Sequence, residues 1–147
     1  MDQKLELLSK VPLLDGLDRR GLEEVGRLAD EVDLPAGRVA ARQGSSGDEF
    51  FVIIDGTVRI ERDGELLREL GPGDFFGELA LLGKVGRTAT ATCVTACRLL
   101  VVGHREFHEL LTRFPTIQGA VLESVAKRIA RLEEHAQGGG SAGPTGS

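Results

Sequence analysis

The chain has no tryptophan, no tyrosine and only six phenylalanines among its 147 residues. A core with so few rings must be filled by aliphatic side chains. Hydrophobic residues do make up 41% of the sequence, which excludes wholesale disorder. Cysteine is scarce too: Cys93 and Cys97 alone, too few for a disulfide framework. On one continuous strand their Cα atoms would stand about 13 Å apart, at ~3.3 Å per residue. A disulfide spans no more than roughly 7 Å. The two thiols are therefore read as reduced, which fits a cytoplasmic setting. No apolar run approaches the ~20 residues of a membrane span. The start, Met1-Asp2-Gln3-Lys4, lacks the basic and apolar stretches of a signal peptide. Positive charge is in short supply, with 18 Lys and Arg against 23 Asp and Glu, a net charge of −5. That balance argues against a stand-alone nucleic-acid binder, and no direct DNA contact is expected. It leaves room for one anion pocket with locally concentrated positive charge.

Glycine is what the chain has in excess, 20 residues with no collagen period. Ten of them fall between Gly37 and Gly86 and punctuate short β-rich runs. Those runs are Val39–Arg42, Glu49–Ile54, Thr57–Arg62 and Leu66–Leu70, followed by Arg87–Cys93 and Arg98–Val102. Thr57-Val58-Arg59-Ile60-Glu61 alternates with the period of a half-buried strand. Asp63-Gly64 is a two-residue hairpin signal. Strands at this spacing, with glycine turns between them, predict an antiparallel β-roll of jelly-roll type in an α+β chain.

Helical patterns flank the roll. Gln3–Ser9 and Asp18–Asp30 read as short helices, the second amphipathic through Leu22, Val25, Leu28 and Ala29. Arg105–Arg113 carries Phe107, Leu110 and Leu111 at helical spacing. Pro115 suits the first turn of a further helix. There Ile117, Val121, Val125, Ile129 and Leu132 form an apolar stripe, read as core packing or a dimer seam. One domain over residues 1–137 is expected, with residues 138–147 a flexible Gly/Ser-rich tail.

The chemistry concentrates in Phe76-Gly77-Glu78-Leu79-Ala80-Leu81-Leu82 and Arg87-Thr88-Ala89. Gly77 removes a side chain just where a short helix over Glu78–Leu82 begins. A helix start offers free N–H groups and partial positive charge, which suits a phosphate. Arg87 adds a planar fork matched to phosphate oxygens. Glu78 can accept hydrogen bonds from hydroxyls. One anion, one diol and a glycine-bared helix end point to a nucleotide or sugar phosphate. Other motifs carry less. Gly77–Lys84 has the wrong spacing for a P-loop, and Val85 stands where Ser or Thr is required. His104 and His108 are four apart, yet the segment is not His-Glu-x-x-His and lacks a third ligand. They are read as solvated histidines.

These residues resemble the phosphate-binding cassette of the cyclic nucleotide-binding domain family. Leu34-Pro35-Ala36-Gly37 and Gly56-Thr57-Val58 resemble the family's upstream turn and hairpin, and the likeness covers roughly residues 8 to 135. It implies N-terminal helices, a β-roll, and C-terminal hinge and lid helices. It implies that Glu78 holds the ribose 2′-hydroxyl and that Arg87 pairs with the cyclic phosphate. N–H groups around Leu79 and Ala80 would complete the cradle beside Gly77. Thr88 would touch phosphate and a syn purine, Ile60 and Leu70 would line the base pocket, and Arg128 would reach the base from the lid. Phe107 takes the hinge-helix aromatic position. Gly86 departs from the proline that many members carry before the arginine, which leaves Arg87 less pre-organised.

The function implied is non-enzymatic: a sensor that binds cAMP, without cofactor or metal, and repositions its C-terminal helices. A homodimer or an effector protein is the expected partner of those helices. The alternatives are a cGMP-selective sensor and an interaction module that has lost its ligand. A cupin-like metalloenzyme would need histidines inside the roll, and all three histidines, at 104, 108 and 135, follow it.

Overall fold

A computed structural model of the chain describes residues 3–79 and 87–141, with residues 3, 128 and 131–141 as backbone alone. Helix α1 (Gln3–Leu8), a 3-10 turn (Pro12–Leu14) and α2 (Arg19–Leu28) lead into eight strands. These are β1 (Asp30–Leu34), β2 (Val39–Ala41), β3 (Phe50–Asp55), β4 (Val58–Arg62), β5 (Glu65–Leu70), β6 (Phe75–Phe76), β7 (Thr90–Cys93) and β8 (Cys97–Val102). Helices α3 (His104–Arg113) and α4 (Pro115–Ser141) follow. The strands form two antiparallel sheets, ordered β1-β8-β3-β6 and β2-β7-β4-β5, the β-roll expected from the glycine spacing. Among the described residues no helix is long and apolar enough to cross a membrane.

Strand periodicity sorts the side chains into two cores. On β3, Phe51 and Ile53 point into the roll, where they meet Val58, Ile60, Phe76, Ala91, Cys93, Cys97 and Leu99. Phe50 and Val52, which alternate with them in sequence, face the opposite way and join the helices. Strand β8 splits likewise, Leu99 to the roll and Leu100 and Val102 to the helical layer. The first sheet is therefore a wall buried on both faces, which explains why Phe50–Ile53 is a continuous apolar run rather than an alternating one. Ring stacking reinforces each side: Phe50 on Phe107 at 4.4 Å and Phe51 on Phe76 at 4.6 Å between centroids.

The stripe on α4 is core packing, as one of its two readings had it. Ile117, Val121 and Val125 are buried in the helical layer, with Ile129 packed against it. Asp18 caps α2, its carboxylate accepting from the Gly21 N–H at 2.8 Å. The β4–β5 turn is Asp63-Gly64, with φ of 53° and 82°, the doubly positive geometry that a two-residue hairpin needs.

Three boundaries and the placement of the cysteines differ from the sequence reading. Helix α2 stops at Leu28, because Ala29 turns extended and Asp30 pairs with Val101 to start β1, a strand the sequence did not reveal. Strand β7 begins at Thr90, not Arg87. The Arg87 backbone instead exchanges hydrogen bonds with Gly44 and Ser45, at 2.8 and 2.9 Å. The two cysteines do not share a strand. Residues 94–96 turn the chain from one sheet to the other, which brings the two thiols together as neighbours. Both are free and buried, and burial with the adjoining Cys97 thiol pushes Cys93 up to about 11. Finally, α4 runs to Ser141, across the Gly138 boundary drawn from composition, since an established helix adds residues at one hydrogen bond each.

Candidate functional site

Arg87 is the centre of the site. Its side chain is only 9% exposed, and it lies against the roll rather than in solvent. The guanidinium carbon sits 5.6 Å from the centroid of the Phe51 ring, within cation–π range. Nη2 donates to the Glu49 carbonyl at 2.9 Å and approaches Glu49 Oε1 at 3.4 Å. Burial lowers the Arg87 pKa from its ordinary value, while the Glu49 and Asp48 carboxylates oppose that shift. The result is a partly desolvated cation that remains charged, because arginine keeps its proton at any working pH.

Two glycines make room for it. At Gly77, φ is +87° and a Cβ would stand 2.6 Å from the Glu49 carbonyl oxygen and 3.1 Å from Arg87 Nη1. The left-handed backbone and the lack of space both demand glycine there. A Cβ at Gly47 would come within 3.1 Å of Arg87 Nε, so the guanidinium is flanked on two sides by bare backbone. The loop before β3 and the segment after β6 thus close around one cation. This geometry suits a small anion with more than one acceptor oxygen.

Glu78 follows directly and belongs to a different neighbourhood. It is the only buried charged side chain among the described residues, at 0% exposure. Ser124 of α4 donates its hydroxyl to Glu78 Oε2. Leu79 is buried in the same helical layer that takes Val121 and Val125 of α4. The chain therefore crosses between the two cores in a few residues: Phe76 packs in the roll, Gly77 abuts Arg87, and Glu78 and Leu79 enter the layer containing α4.

The structure sets Gly77 against Arg87, while Glu78 and Leu79, next in the chain, face the helical layer. Thr88 is half-buried at the approach to β7. Ile60 is buried in the roll core with Phe51, and Leu70 packs against the same cluster from β5. Leu70 and Ser124 also line a cleft of about 490 Å³ between the β5–β6 turn and α4. Ala80 and residues 81–86, where the cassette helix was expected to continue, lie outside the described residues, as does the side chain of Arg128. Sequence reasoning missed Glu49 and Ser124. Nothing local marks either, because each meets its partner only through folding, 38 and 46 residues away. The His104 and His108 rings meet edge to face at 4.5 Å. Among the described residues no cluster of three metal-ligating side chains exists.

Comparison with known proteins agrees with this architecture. The family model "Cyclic nucleotide-binding domain" matches residues 31–114. A CRP-like cAMP-activated global transcriptional regulator of Mycobacterium tuberculosis is 30% identical over 135 residues, covering 88% of this chain and 60% of that protein. A cyclic nucleotide-gated potassium channel of Mesorhizobium japonicum is 36% identical over 112 residues, covering 76% of this chain and 31% of the channel. The chain thus spans about a third to three fifths of the length of these relatives. The crystal structure of the Thermus thermophilus catabolite activator protein superimposes with a TM-score of 0.73 at 27% identity, covering 86% of this chain and 62% of that one. The chain belongs to the cyclic nucleotide-binding domain family.

Proposed function

We propose that the chain is a cAMP-binding regulatory domain and that ligand occupancy shifts the position of its C-terminal helices. The observation that carries this reading is the partly desolvated Arg87 guanidinium between Gly77 and Gly47, with Glu78 next in the chain. In this reading Arg87 meets the cyclic phosphate with its fork, aided by backbone N–H groups at Leu79 and Ala80. The Glu78 carboxylate accepts from the ribose 2′-hydroxyl. Thr88 supplies a further hydroxyl at the phosphate, Ile60 and Leu70 give the base an apolar wall, and Arg128 approaches it from α4. The role is binding rather than catalysis. The choice of cAMP is supported by the M. tuberculosis relative, described as cAMP-activated. Ligand can move α4 only by as much as its affinity differs between the two helix positions.

Calorimetric titration with cAMP and cGMP tests the reading. The wild-type chain should take up cAMP more tightly than cGMP. Arg87→Leu should weaken cAMP by about 2–5 kcal/mol, the cost of leaving a desolvated phosphate without its partner. That is roughly 30- to several-thousand-fold. Unchanged affinity in a folded Arg87→Leu variant would sink the assignment.

A further inference from the structure

Glu49 meets Arg87 twice, and the two contacts differ in kind. Its backbone carbonyl accepts from Arg87 Nη2 at 2.9 Å. Its carboxylate stands 3.4 Å from the same nitrogen, on a side chain that is 48% exposed. The carbonyl belongs to the backbone that leads into β3, so it holds the guanidinium whatever side chain residue 49 carries. The carboxylate contributes charge. Asp48, exposed beside it, adds a second negative charge that acts on Arg87. A phosphate held by Arg87 has to share this rim. A cyclic phosphodiester carries one negative charge, whereas an open phosphomonoester carries close to two once its second proton has gone, with a pKa of about 6. The carboxylates offset part of what the cation gives, and the offset grows with the charge of the ligand.

We propose that Glu49 is a specificity-determining residue whose carboxylate discriminates a singly charged cyclic phosphate from a doubly charged open monoester. This rests on the nucleotide reading above and concerns the phosphate end of that site. The division of labour lies within one residue. The Glu49 carbonyl sets where the guanidinium lies, and the Glu49 side chain sets how much negative charge that guanidinium accepts. Hydrolytic opening of the phosphate ring leaves base and sugar in place and adds a charge, so charge is a property by which such a site can tell the ring from its hydrolysis product.

The test is competition of 5′-AMP against cAMP on the full chain at low salt and about pH 8, where the monoester is doubly charged and screening is weak. Glu49→Gln keeps the backbone carbonyl and the size of the side chain and removes only the charge. In it the preference for cAMP over 5′-AMP should shrink about fivefold, the worth of one ligand charge a few ångströms from one carboxylate in water. Glu49→Asp, which keeps the charge, should hold the wild-type preference. The difference in shape between the two ligands is the same for every variant and cancels from the comparison. If Glu49 served only to place Arg87, the substitution would change both affinities together and leave the preference unmoved. That result, or failure of 5′-AMP to compete even in Glu49→Gln, would overturn the charge discrimination alone. If the wild-type chain did not bind cAMP, the nucleotide reading itself would fall, and the discrimination with it.

Discussion

The two ends of the proposed ligand site are built on opposite faces of one sheet. Arg87 rests on Phe51, whose ring belongs to the roll, and is tied to the start of β3 by the Glu49 carbonyl. Glu78 sits in the helical layer and takes a hydrogen bond from α4. The first end is made by strands, a turn and two glycines, so its geometry is set whenever the roll is folded. The second is set by where a helix lies. The difference teaches that affinity and response need not reside in the same residues. Under the proposed function, the cation held by the roll would meet the anion, and the carboxylate bonded to α4 would follow the position of that helix.

Phe107→Ala should strike this division hardest. Phe107 is fully buried and stacks on Phe50, so its truncation should cost about 3–5 kcal/mol of stability in chemical denaturation. Hydrogen exchange should then quicken across α3 and α4 more than across β4 and β7. Equal quickening in both would show that the two cores open as one unit and would break the comparison. Gly77→Ala acts at the seam between them. A side chain there meets the Glu49 carbonyl and a left-handed backbone, which alone costs about 1–2 kcal/mol. Its effect on cAMP should exceed tenfold, because displaced backbone moves Arg87 and Glu78 together. The smallest effect belongs to the roll. Cys93 is raised to about 11 from an ordinary 9.0, so the folded state favours the neutral thiol. Its contribution is complete below the unfolded pKa and is lost as pH climbs through the window from about 9 to 11. Denaturation midpoints should fall across that range in the wild type and fall less in Cys93→Ala, with α4 exchange unaffected beforehand.

Legibility in the sequence followed the range of the interactions. The β4–β5 hairpin could be read because Asp63-Gly64 is a local instruction. The Gly77–Glu78 pair and Arg87 could be read because their spacing along the chain is short and chemically specific. Strand β1 could not: Asp30, Glu31 and Asp33 leave only Val32 and Leu34 as apolar signals, and the strand exists through its pairing with β8. The cysteines were misplaced because distance was reckoned along a straight strand, whereas residues 94–96 cross from one sheet to the other. Glu49 and Ser124 were invisible for the same reason in stronger form. Neither has any neighbour in sequence that hints at a cation or a buried carboxylate.

Strand β3 has a parity that the loops around it lack. Loops before and after it can gain or lose a residue and absorb the change. A one-residue slip within the strand would hand Phe50 to the roll and Phe51 to the helices, exchanging every inward face for an outward one. Arg87 would lose its aromatic floor and Phe107 its stacking partner in a single step. Drift in length is therefore tolerated better in the turns than between Phe50 and Ile53, where β3 keeps an unbroken register with β8.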